Sequence, residues 1–123
     1  MAQDLDAILQ TMSGDVNGYV ASVIAGMDGL SIAQHASKKL STDAISAQLT
    51  LLLKLVETST LKLNAGQLED ELLTTQDVFI LMRFLPGKEF FLGVVADRRT
   101  GNLGNLRLIT RMYTERLAKA MPK

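Results

Sequence analysis

The segment VVADRRTGNLGNLRLIT (94–110) has the residue order of a phosphate-binding loop. An apolar run ends in Asp97, glycines follow at 101 and 104, and a helical pattern starts at about Leu103. Glycines serve that chemistry because backbone N–H groups can then approach a phosphate at a helix N-terminus. The dinucleotide fingerprint, however, needs G-x-G-x-x-G early in a βαβ unit and an acid about 20 residues on. Only Gly101-x-x-Gly104 is present, no G-K-S/T follows, and the expected helix runs to the last residues given. The simpler reading is structural. Gly101 permits the turn after the strand, Asn102 caps the helix, and Gly104 lets its first turn lie close to the sheet.

Other catalytic constellations are weaker. His35 is the single histidine and cysteine is absent, which excludes thiol catalysis and cysteine-ligated metals. His35 falls in an alternating segment and reads as a surface or edge residue. Glu69, Asp70 and Glu71 are consecutive on an expected strand. They therefore point to alternate faces and cannot converge on a metal. They suit an edge that discourages aggregation. No catalytic residue, metal site or cofactor is expected.

Composition bounds the rest. The 123 residues, 47% of them hydrophobic, suffice for one domain (1–123) with a real core. The opening MAQDLDAILQ lacks the basic and apolar regions of a signal peptide. No apolar run reaches the roughly 20 residues of a membrane span. A soluble cytoplasmic protein without membrane insertion is expected. Net charge is zero, but residues 1–82 hold four basic against ten acidic residues, and 83–123 hold nine against three.

The elements that position these residues follow from periodicity. Leu5, Ile8, Leu9 and Met12 make one helical face, ended at Gly14. YVASVIAG (19–26) and LSIAQHA (30–36) flank Asp28-Gly29, the signature of a two-residue type I′ hairpin. Residues 41–64 form a second helix, capped by Ser41 or Thr42 and stopped at Asn64-Ala65-Gly66. QLEDELLTT (67–75) reads as an edge strand. DVFILMRFL (77–85) and FFLGVVAD (90–97) read as central strands buried on both faces. The last helix spans about Leu103 to Met121, with Leu106, Ile109, Tyr113, Leu117 and Ala120 inward. Arg107, Arg111, Glu115 and Lys119 fall outward at i, i+4 spacings. The order α-β-β-α-β-β-β-α predicts an α/β fold: one five-stranded, mostly antiparallel sheet sandwiched by helices.

The second helix carries too much apolar surface for one sheet. Ile45, Leu49, Leu52, Val56 and Leu63 form one stripe, and Ala44, Ala47, Leu51 and Leu55 a second beside it. Ser46, Thr50, Lys54 and Glu57 hold the remaining polar sector. One sheet covers a stripe little wider than 100°. The excess points to a second subunit.

In element order, in MDGLSIA (27–33) and in VADRRTGNLGNLRL (95–108), the chain resembles the Roadblock/LC7 domain, particularly its bacterial MglB-type members. The family's Asp-Gly-Leu-x-Ile-Ala hairpin is matched by Asp28, Gly29, Leu30, Ile32 and Ala33. Its Asn-Leu-Gly helix start is matched by Asn102, Leu103 and Gly104. The resemblance implies a profilin-like fold and a non-enzymatic homodimer, with paired central helices and paired third strands. It implies a platform for a small Ras-like GTPase, in some members one that accelerates GTP hydrolysis. The expected dimer residues are Ala44, Ala47, Leu51, Leu55, Leu68 and Leu72; the expected partner contacts are Thr50, Lys54 and Glu57. The acids of LEDEL would oppose like charges if two copies of that strand paired in register. Two alternatives stay open: a small-ligand sensor of PAS- or profilin-like layout, and a nucleic-acid-binding module using the basic last helix. The low aromatic content, 5%, favours neither.

Overall fold

The computed structural model describes residues 2–121. The elements are α1 (Ala2–Asp15), β1 (Tyr19–Gly26), β2 (Ser31–Ala36), α2 (Thr42–Lys62), β3 (Asp70–Thr74), β4 (Val78–Phe84), β5 (Phe90–Asp97) and α3 (Leu103–Ala120). The strands form one sheet, order β2-β1-β5-β4-β3, with antiparallel neighbours throughout. The expected α/β order and five-stranded sheet are therefore present. α1 continues one residue past Gly14, and β3 begins only at Asp70.

Side-chain alternation along the strands builds two cores, one per face. Leu92, Val94 and Ala96 of β5 meet Leu81 and Ile24 under α1 and α3, where Leu5, Leu9, Met12, Leu106 and Leu117 close over them. Phe91, Met82, Phe84 and Val23 point the other way, toward Leu49 and Leu53 of α2. Gly93 makes that second contact possible, since a Cβ there would lie 2.7 Å from Leu49 Cδ1. Three sheet neighbours thus carry apolar residues on both faces, while α2 covers its face alone.

The hairpin differs from expectation. Its loop is three residues, Met27 to Gly29, and only Gly29 has positive φ, +92°. Gly29 N–H donates to Gly26 O (2.9 Å), and Gly26 N–H to Leu30 O (2.9 Å). The Asp28 carboxylate accepts from Leu30 N–H at 3.1 Å. Asp28 therefore stabilises the bend from ordinary φ, and the left-handed residue is the glycine alone.

The sheet edges differ. At β2, Asp6 Oδ1 accepts the outward N–H of Gln34 at 3.1 Å, and the register breaks between Ile24 and Ala25. A helix carboxylate thus occupies a donor that an incoming strand would need. β3 has β4 on one side, and among the described residues no strand pairs with its other side.

Candidate functional site

Helix α2 starts where Ser41 Oγ accepts from Ala44 N–H at 3.4 Å, with Asp43 in the first turn. It ends into Asn64 (φ +56°) and Gly66 (φ +91°). Its sheet-facing line is Ser46, Leu49, Thr50 and Leu53, flanked by half-buried Ile45 and Val56. This corrects the expected first stripe, because Leu52 and Leu63 lie outside, 37% and 75% exposed. It also corrects Thr50, assigned above to the outward polar sector. Thr50 is 3% exposed, and its Oγ1 donates to Ser46 O at 2.7 Å. A threonine that finds its acceptor one turn back can be buried at little cost. Glu57 is half-buried and joined to Lys88 Nζ at 3.0 Å. Of the three expected contact residues only Lys54 stands fully exposed.

The second stripe lies in the open. Ala44, Ala47, Leu51 and Leu55 are all exposed, the two leucines at 62% and 65%. α2 seats over β1 and β2. Beside it Ala44, Ile45, Gln48, Leu49 and Leu52, with Ile80 and Val95 as floor, line an apolar groove of about 410 Å³. Leucine rows with an apolar trough alongside make a face whose exposure in water is unfavourable. Just before β3, Leu68 packs partly into the α2-side core, and on β3 Leu72 packs into the opposite one. These two residues therefore reach different faces.

The three acids separate as alternation requires. Asp70 is held by Arg83 (3.1 Å) and Arg107 (3.5 Å). Arg107 thus bridges to β3 rather than along its own helix. Glu71 points to the α2 side; its Oε1 is buried without a hydrogen-bond partner, and burial raises its pKa.

The glycine loop is self-satisfied. Asp97 Oδ1 accepts from the N–H groups of Arg99 (2.7 Å) and Thr100 (3.2 Å). Those bonds, with the charges of Arg99 and Lys38, lower its pKa. Gly101 N–H donates to Asp97 O at 2.8 Å. Asn102 caps α3 by accepting Asn105 N–H at 2.8 Å. The Asn105 side chain in turn binds Asp15 O and Asn17 N–H. The N–H groups of Arg99, Thr100, Gly101 and Asn105 thus already have acceptors within the chain. The expected role of Gly104 is corrected: it is exposed, and a Cβ there would meet only Asn102 Oδ1 at 3.4 Å. Close approach belongs to Gly101, whose Cβ would collide with Asp97 O.

His35 lies on edge strand β2 with its ring 5.8 Å from that of Tyr19. The Tyr19 hydroxyl donates to His35 O at 2.8 Å, and burial pushes its pKa up to about 12. Among the described residues no group of three or more His, Asp or Glu is placed to hold a metal, and no helix is long and apolar enough to cross a membrane.

Two helices on one face, one helix on the other and a five-stranded antiparallel sheet between them recur in solved structures. A Roadblock/LC7 domain from Streptomyces avermitilis aligns with a TM-score of 0.84 at 17% identity, over 94% of this chain and 95% of that one. This is the Roadblock/LC7 fold. Myxococcus xanthus MglB aligns with a TM-score of 0.84 at 14% identity, over 95% and 94%. Myxococcus xanthus MglC aligns at 0.67 and 20% identity, over 98% and 100%. No family model and no curated protein matches the sequence. In Roadblock/LC7 terms, the open leucine face is that of the central helix, and the unpaired edge is that of the third strand.

Proposed function

We propose that this chain is a homodimeric, non-catalytic regulator or scaffold that binds a small Ras-like GTPase. The observation that carries the reading is the exposed row Ala44, Ala47, Leu51 and Leu55 beside an apolar groove. Two such faces packed together bury Leu51 and Leu55 from both copies, at about 1.5–3 kcal/mol for each leucine fully removed from water. β3, with Leu68 before it and Leu72 within it, completes the interface by pairing with its twin. A two-fold axis at Leu72 sets Glu71 opposite Leu73 and Asp70 opposite Thr74, so the acids do not oppose each other. The GTPase docks on the surface flanking the paired helices, where Lys54 is exposed, and any nucleotide is held by that partner.

Two measurements test the reading. Light scattering at micromolar concentration gives twice the chain mass, and Leu51→Asp gives monomer. Pull-down with small GTPases from the same organism captures one of them in a nucleotide-dependent manner. A wild-type monomer, or capture of none in either nucleotide state, overturns the proposal.

A further inference from the structure

Helix α3 turns Leu106, Thr110, Tyr113, Thr114 and Leu117 inward. Its outer side exposes Leu108 (58%) and Met112 (55%), with Leu103 (38%) at its start. Around them lie Arg107, Arg111, Arg116 and Lys119, and Glu115 is the helix's single acid. Leu108 and Met112 sit at i, i+4, and beside them runs a parallel row of Arg107 and Arg111, continued by Glu115 and Lys119 at the same spacing. This surface belongs to the layer across the sheet from α2, so it is separate from the face discussed above.

We infer that the outer face of α3 is a docking site for an acidic amphipathic helix of a protein partner. An apolar row beside a basic row is complemented by a helix with an apolar row beside an acidic one. The cations are partly pre-positioned, which reduces the ordering cost of binding. Arg107 is held by Asp70 at 3.5 Å while its side chain stays 48% exposed. The Arg116 guanidinium lies 5.4 Å over the Tyr113 ring. Arg111 has no ion-pair partner among the described residues.

Other occupants fit less well. A second copy would offer the acidic outer side of α1, but Asp6 and Asp15 there already bind Gln34 N–H and the Tyr113 hydroxyl. The exposed α1 positions, such as Ala7, Gln10 and Thr11, present no large apolar side chain to cover Leu108 and Met112. An anionic bilayer would meet α1 and α3 together, since they pack side by side, and α1 would bring its carboxylates against the lipid charge. Nucleic-acid phosphates would leave Leu108 and Met112 uncovered.

The test uses the full chain and a labelled peptide of about 18 residues built from Ala, Leu and Glu, with Leu at i, i+3, i+4 and Glu beside that row. Fluorescence anisotropy gives saturable binding that weakens about tenfold or more in Arg111→Glu and in Leu108→Ser/Met112→Ser. A peptide with Lys in place of Glu restores binding to Arg111→Glu. All these positions are exposed, and circular dichroism confirms that the variants fold. Leu51→Asp binds the peptide like wild type, which keeps this result independent of dimerisation. No binding, equal binding of a scrambled peptide, or preference for phosphatidylserine vesicles or duplex DNA overturns the proposal.

Discussion

Alanine at Gly101 and alanine at Gly104 are expected to change stability in opposite directions. Neither glycine has positive φ, so the argument is about space. A Cβ on Gly101 would overlap Asp97 O and come within 3.4 Å of Asn17 O. Both are backbone atoms, and the first already accepts from Gly101 N–H. Overpacking of this kind costs about 1–3 kcal/mol, here toward the upper end because no side chain can swing away. At roughly 4 °C per kcal/mol for a chain of this size, Gly101→Ala lowers the melting temperature by roughly 4–12 °C. Gly104→Ala meets only Asn102 Oδ1 at 3.4 Å, in the first turn of α3. Exchanging helical Gly for Ala gains up to about 1 kcal/mol, a rise of up to about 4 °C. Calorimetry at a fixed scan rate reads both. Equal losses in the two variants, or an unaffected Gly101→Ala, would refute the steric argument. A higher wild-type melting temperature with added GTP or NAD would return the loop to nucleotide binding.

Tyr19→Phe removes the hydroxyl bound to His35 O and Ser22 Oγ and costs about 1 kcal/mol in urea unfolding. In wild type, ultraviolet absorbance shows one phenol titrating near pH 12. The stability it contributes is complete below its ordinary value of 10 and is lost as pH rises through 12. Glu71→Gln raises the neutral-pH melting temperature, because the half-buried carboxylate, with its Oε1 buried and unpartnered, opposes its own ionisation. The difference closes when melts are repeated below the carboxylate range, where wild-type Glu71 is protonated. Asp97→Asn flattens the acid limb of the stability curve. In wild type the contribution of Asp97 is present above its ordinary value of 3.8 and is lost as pH falls through the lowered one.

The element order was legible because each hydrophobic run keeps a clear period and the punctuation is chemical. Asn102 capped α3 as read, and Asn64 and Gly66 stopped α2 as read. Polarity misled where a hydroxyl could satisfy itself locally. Thr50 and Thr114 are buried, and each donates to the carbonyl four residues earlier. Counting Ser46 and Thr50 as solvent-facing rotated the expected stripe on α2 and left Leu53 out of it. The role assigned to Gly104 failed because spacing alone cannot say which of two nearby glycines faces a neighbouring carbonyl. The tie from Arg107 to Asp70 joins residues far apart in the chain, beyond the reach of any local pattern. The exposed leucines of α2 were legible in kind, since excess apolar arc is a property of the helix itself.

The Asp6 bond to Gln34 N–H has a consequence for stoichiometry. A sheet with two receptive borders has a valence of two and can polymerise without limit; one with a single receptive border has a valence of one. With the Gln34 donor on β2 already occupied, strand addition there is disfavoured and lateral growth is directed to β3. Two copies joined there would present only their β2 borders, each with that donor taken, which favours stopping at a pair over running on into a fibre.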